Sequence, residues 1–503
     1  MFRLTLFYVV LLGLALVPLH PKSASVTIGS KLFTESVILG ECVRLLCDDA
    51  GIDTTHYREL GGTRILFDAL VSGDISVYPE YSGTIREEIF RGELETDELI
   101  HAALTERGIG LAGPLGFNNT YAMAMLRTRA AELGVTTISD LARHPDLKCG
   151  FSNEFMERQD GWPGMREYYD LGQLSTKGLN HDLAYRQLQL GQIDVIDAYA
   201  TDAKIAALDL VLLEDDRNYF PRYDAVVLYR VDLADQHPDL LRLLQSLEGG
   251  IDNAEMVRAN ALVEMDGKNE SEAAAMILDE TLGIQPEVHQ ESLSDRLFVR
   301  SLEHIDLIRR SLIPAILIGI PLGVLATLFP SCGRMILGAA GIIQTIPALA
   351  MLVLLMPLMS AFGQASVGTG SATAVTALFL YALLPIVQGT HTGLKSIPLP
   401  LQHSMESLGL PLNYRLLHID LPLAGASILA GVKTSTVLTV GFATLGALIG
   451  AGGYGQPIMT GIRLNSTALI LEGAIPAAIM AVVSQLCFDL VERSYSTTSG
   501  RRT

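Results

Sequence analysis

The chain has few of the features that mark common enzyme types, and little positive charge. It contains no G-x-x-x-x-G-K-[ST] phosphate loop, no H-E-x-x-H metal pair and no G-x-S-x-G nucleophile turn. The first absence excludes a P-loop ATPase within these residues, and the other two exclude two widespread hydrolase designs. Its 36 Lys and Arg face 55 Asp and Glu, a net charge of −19, which argues against nucleic acid as a partner. Five cysteines in 503 residues make no disulfide scaffold. Cys42 and Cys47 lie five apart on an expected helix and point to different sides, so no bond is expected between them.

The charge that is present is divided unevenly. Residues 1–304 carry 26 Lys+Arg and 49 Asp+Glu, a net of −23, whereas residues 305–503 carry 10 and 6, a net of +4. The first part reads as a water-soluble acidic domain and the second as a hydrophobic one. Residues 1–25 begin Met-Phe-Arg, run apolar from Leu4 to Leu19 and end in Ser23-Ala24-Ser25. This is the pattern of an export signal, cleaved or kept as an anchor, and it places the following domain outside the cytoplasm.

Residues 26–300 alternate short apolar runs (VTIGS, LDLVLLEDD, YDAVVLYRV) with amphipathic stretches. This predicts α/β structure with buried strands, long enough for two lobes. Residues 305–495 predict an all-α polytopic membrane domain with five spans, near 309–329, 335–360, 370–389, 421–446 and 467–491. Arg334, Lys395, Arg415, Arg493, Arg501 and Arg502 fall on one side if the first span runs inward, while Arg309, Arg310 and Arg463 go against that rule. Residues 284–307 read as a short connection.

Two G-x-G-x-x-G matches fail their context. Gly108–Gly113 runs into Pro114, and Gly450–Gly455 ends a membrane span, where glycine serves close packing. More informative is GSKLFTES, residues 29–36, which places Lys31 between an expected strand and an expected helix N-terminus. A cation there is unfavourable unless a negative group arrives, either a ligand or a neighbour such as Glu35. Tyr81, Tyr121, Tyr199 and Tyr223 each flank an expected strand end or turn. Packing is the ordinary role of one tyrosine. Four at such places form a candidate aromatic box for a quaternary ammonium, which has no N–H to donate and is held through ring faces at roughly 0.5–2 kcal/mol each.

GSKLFTESVILGE, GGT (61–63), YPEYSGT, GFNNTYA, NEFMERQDG, IDAYATD and LEDD-x-x-x-FP occur in order and resemble the binding proteins of osmoprotectant ABC importers, which take up glycine betaine, carnitine and choline. The resemblance implies a two-lobed domain closing on its ligand. It implies a cage at Tyr81, Tyr121, Tyr199 and Tyr223, with Lys31, Thr84 and Arg158 on the carboxylate of a betaine and Asn119 near the ammonium methyls. QTIPALAML, FLYALLPIVQGTHTGL and TLGALIGAGGYG resemble the permease subunits of the same importers. There Gly409 and, after nine residues, Ile419-Asp-Leu421-Pro422 match a cytoplasmic loop that docks on the ATPase. His403-Ser404-Met405 replaces the usual Glu-Ala-Ala, leaving Glu406 as a substitute acid.

The resemblance implies a transporter subunit of the cell inner membrane rather than an enzyme, with a permease homodimer and a separate ABC ATPase that uses the ATP. The chain itself is expected to bind no cofactor and no metal. Because the carboxylate-binding residues are retained, glycine betaine is expected ahead of choline. The alternatives are an importer of another small polar or amine solute, a ligand sensor coupled to a membrane domain, and a membrane enzyme acting on choline-like compounds.

Overall fold

A computed structural model describes residues 26–94, 96–288, 292–361, 371–464 and 466–499. The signal segment at 1–25 and the basic pair Arg501 and Arg502 lie outside the described residues. The chain divides into two compact units on either side of residues 289–290.

The first unit has two lobes. Lobe 1 is built on a five-stranded sheet in the order β2 (Thr54–Gly61), β1 (Val26–Lys31), β3 (Val77–Tyr81), β10 (Ala225–Arg230), β4 (Ile109–Ala112). β1 runs parallel to β2 and β3, and β10 runs antiparallel to β3 and β4. Lobe 2 holds β8 (Ile196–Tyr199), β5 (Tyr121–Leu126) and β9 (Leu210–Leu213), next to the parallel pair β6 (Lys148–Ser152) and β7 (Ser175–Leu179). A bridge from Cys149 to Val195 joins the two groups. The chain enters lobe 2 between β4 and β5 and returns between β9 and β10. These crossings pair with each other at Asn118 and Asp224, and the Asn119 N–H donates to the Tyr223 carbonyl at 3.0 Å.

Helix α1 (Thr34–Asp49) follows β1 and is buried along most of its length. That burial covers both Cys42 and Cys47, which are free thiols. After β10, helices α2 (Asn253–Glu264) and α3 (Glu270–Leu282) pack against α1, each started by a capping box, Asp252 with Glu255 and Asn269 with Glu272.

The second unit is helical. Leu293–Leu328 (α4), Ser371–Lys395 (α7), Leu412–Ile449 and Thr467–Arg493 are each long and apolar enough to cross a bilayer, by length and composition. The span expected at 335–360 is not straight. It is α5 (Pro330–Thr345) and α6 (Ala348–Ala361), bent by 100° at the break, and counts as a fifth crossing only if the pair is one broken span. Pro347 explains the break, since a residue preceding proline is driven out of the helical region, and Ile346 is extended at ψ 127.

The short connection expected at 284–307 is also corrected: α4 begins at Leu293 and runs 36 residues unbroken. Arg309 and Arg310 lie within it, both paired with Asp306, so their charges are answered on their own helix. Helix α8 (Leu421–Ala443) crosses α7 at backbone distance. A Cβ built on Gly389 would lie 2.6 Å from the Ser427 carbonyl oxygen, and one on Gly431 2.4 Å from that of Pro385.

Candidate functional site

Strand register assembles the aromatic residues. Tyr121 and Tyr199 are direct partners across β5 and β8, so their rings share one face, 5.1 Å apart. Tyr81, the last residue of β3, pairs with Ala225 of β10, which brings the crossing segment and Tyr223 alongside. Tyr223 meets the Tyr121 ring edge-on at 5.5 Å. Phe33, just before α1, spans the lobes, with its ring 6.2 Å from Tyr81 and 6.3 Å from Tyr199. Phe155 and Phe220 extend the wall at 5.0 and 6.0 Å from Tyr121. The four tyrosines read from the sequence thus lie about one junction of the lobes. The three phenylalanines were not anticipated, although GSKLFTES, NEFMERQDG and LEDD-x-x-x-FP each contain one of them. The Gly in YSGT has a steric reason: a Cβ on Gly83 would lie 2.6 Å from the Tyr223 ring. Thr84 follows it and is buried.

Two of these tyrosine hydroxyls donate to acids. Tyr81 Oη bonds Glu35 Oε1 at 2.6 Å and Tyr223 Oη bonds Asp160 Oδ2 at 2.5 Å. A phenol that donates to a carboxylate is fixed in orientation and carries a more electron-rich ring, which favours a cation over its face. Behind Tyr199 lies His181, with ring centres 4.9 Å apart. Burial opposes its charge, but the attraction of Asp202, hydrogen-bonded to Nε2 at 3.1 Å, and of Asp197, 3.9 Å from Nδ1, holds its pKa well above the usual histidine value.

The cations stand differently from expectation. Lys31 is buried with Nζ 5.5 Å from the centre of the Tyr81 ring, yet it is ion-paired with the fully buried Glu80, not with Glu35 and not left open. Arg158 lies 5.9 Å from the centre of the Tyr121 ring. Its Nε donates to Asp160 at 2.8 Å and its Nη1 to Glu88 at 2.6 Å, and the latter bond crosses from lobe 2 to lobe 1. Burial disfavours the guanidinium, but the bond and charge of Asp160 keep it protonated. Asn119 does not point its amide nitrogen at open space; it donates to Glu35 at 2.9 Å.

In the second unit, Gly409 ends a short helix in the left-handed region at φ 65. Ile419, Leu421 and Pro422 are only half-exposed, and Asp420 is buried beside Arg415 at 3.0 Å. Leu408, Leu412, Tyr414 and Leu417 are exposed in this loop, and Leu399 and Leu401 on the short helix before it. Glu406 lies 3.7 Å from both His403 and Arg415, so it takes part in the loop's own ion pairs.

Comparison with known proteins gives two family matches. Residues 24–280 match the substrate-binding domain of the ABC-type glycine betaine transport system, and residues 319–496 match the binding-protein-dependent transport system inner membrane component. An ergothioneine transport permease/ergothioneine binding protein of Helicobacter pylori (strain G27) is 31% identical over 293 residues, 56% of this chain and 52% of that protein. The match thus spans about half the length of that relative. A glycine betaine/carnitine/choline transport system permease protein of Bacillus subtilis (strain 168) is 40% identical over 183 residues, 36% of this chain and 76% of that protein. The crystal structure of a glycine betaine/carnitine/choline ABC transporter matches at 30% identity and a TM-score of 0.44, over 50% of this chain and 97% of that one.

Proposed function

Because the chain belongs to the family of substrate-binding domains of ABC-type glycine betaine transport systems, joined in one polypeptide to an inner-membrane transport component, we propose that it captures a quaternary-ammonium osmoprotectant outside the membrane and passes it inward. The observation that carries this reading is the meeting of Tyr81, Tyr121, Tyr199 and Tyr223 at one junction of the lobes. A ligand held between the lobes favours the closed form because only that form offers both sets of contacts. The membrane unit acts as a homodimer, and a separate ABC ATPase supplies the energy, docking on Leu408, Leu412, Tyr414 and Leu417 of the cytoplasmic loop.

Two readings of the ligand remain, and a specific observation separates them. In the first, a betaine carboxylate displaces Glu80 and Glu88 and takes Lys31 and Arg158, which would favour glycine betaine. In the second, those acids stay, because they already answer both cations, and the site prefers a monocation such as choline. Calorimetry on the full chain in lipid nanodiscs, with glycine betaine, choline, carnitine and the ergothioneine named for the H. pylori relative, decides. We expect at least one of these to bind, and Tyr199→Ala to weaken it at least tenfold. The order of glycine betaine and choline then selects between the two readings. No binding of any of the four overturns the quaternary-ammonium assignment.

A further inference from the structure

We propose that Glu35 is a positioning residue that ties the two lobes together around the tyrosine cage. Glu35 lies in the first turn of α1 and is 3% exposed. Its Oε1 accepts from Tyr81 Oη at 2.6 Å and Asn119 Nδ2 at 2.9 Å. Its Oε2 accepts from Thr201 Oγ1 at 2.5 Å and Asn260 Nδ2 at 3.0 Å. The four donors come from the end of β3, from the crossing into lobe 2, from the segment after β8 in lobe 2, and from α2.

Only an ionised carboxylate suits this place. It accepts at about four positions and donates at none, whereas a glutamine amide would set its own N–H groups against two of the donors. All four partners are neutral, and burial, with the charge of Asp202, raises the pKa of Glu35 above the usual glutamate value, while the bonds from Thr201, Tyr81 and Asn260 oppose that rise. The helix N-terminus adds favourable potential but no partner charge. The carboxylate is therefore best satisfied when all four donors converge, which requires lobe 2 to be closed on lobe 1. If Thr201 withdraws with its lobe, Oε2 loses one of its two bonds. One oxygen thus holds a cage hydroxyl, and the other holds the residue two places beyond cage residue Tyr199. Glu35 sits behind Tyr81 and acts on the ligand only through the closure it stabilises. Its effect on affinity rests on the cage being the ligand site, whereas its effect on closure does not.

The test uses the full chain in nanodiscs with Glu35→Gln and the milder Thr201→Val. Hydrogen exchange is measured first without ligand. In both variants, amides of residues 117–121 and 199–204 should exchange several-fold faster, while those of 37–47 in α1 stay unchanged. Choline and glycine betaine affinities should then fall by the same factor, roughly tenfold for Glu35→Gln, through faster dissociation. Unchanged exchange at 117–121 and 199–204 overturns the proposal, and so does a loss confined to one ligand, which would put Glu35 on the ligand itself. If Glu35→Gln does not fold, Thr201→Val carries the same readouts. If wild type binds neither ligand, the quaternary-ammonium reading passes to carnitine and ergothioneine, and exchange alone decides the role of Glu35.

Discussion

Lys31 reaches the rim of the cage with its charge already answered by Glu80, and one Glu80 oxygen, Oε2, is buried with no hydrogen-bond partner. Such an acid repels a ligand carboxylate and attracts an ammonium. Glu80→Gln removes the repulsion and frees Lys31 to make a charge-assisted bond. The expected outcome is a rise of roughly tenfold in glycine betaine affinity relative to choline, one charge-assisted bond being worth about 1.5–3 kcal/mol. Calorimetry of both ligands on the variant checks this, and an unchanged ratio would mean that Lys31 never meets the ligand carboxylate. The same pair shows what could be read from the residues alone. Three of the tyrosines were legible because each stands at a strand end inside a motif, and Tyr223 because it closes a turn two residues before the apolar run of β10. The partner of Lys31 was not, because Glu35 is nearer in sequence, and only the placing of β1 beside β3 brings up Glu80, 49 positions away. Glu88 and Phe33 escaped notice for the same reason, because their contacts join the two lobes; Asp160 pairs with Arg158 two residues away, but its bond from Tyr223 joins residues 63 apart.

Among the elements, the strands of the first unit were legible from short apolar runs, and most membrane helices from their hydropathy. Direction was not. An apolar count over 335–360 is the same for a straight span and for the bent pair α5 and α6, and only Pro347 hints at the turn. Helix packing leaves a clearer trace, in glycines. Gly389 and Gly393 face α8 one turn apart, and a Cβ on Gly393 would lie 2.9 Å from the Ala424 carbonyl oxygen. Small residues at this spacing let membrane helices approach to backbone contact. Gly389→Ala therefore forces α7 and α8 apart and should cost about 1–3 kcal/mol, seen as a lower thermal midpoint of the membrane unit with ligand affinity unchanged. Gly338→Ala is the control, since nothing lies within 4 Å of its Cβ position, and it should leave the midpoint unaltered or slightly raised. Equal effects from the two substitutions would remove the close crossing as the cause.

For the molecule as a whole, the dominant quantity is the net charge of −23 over residues 1–304, against +4 over the remainder. A field of that size acts on a ligand before contact, and it acts by ligand charge. Choline carries one positive charge and is drawn in, while glycine betaine is neutral overall and is not. The field reaches about 30 Å at 0.01 M salt but only about 8 Å at 0.15 M. Across that range the association rate constant of choline should fall several-fold, whereas that of glycine betaine should stay nearly constant. Trp162 supplies a signal for stopped-flow measurement, being the single tryptophan of the chain and packed against Phe151 at 4.9 Å near Arg158. Dissociation rates report something else: the cage and the latch at Glu35 are buried and short-ranged, so salt should change them little. A fall in both association rates would point to salt acting on lobe closure, because closure is common to the two ligands. A fall for neither would mean that capture is governed by local contacts at the cage, with the acidic exterior serving solubility alone.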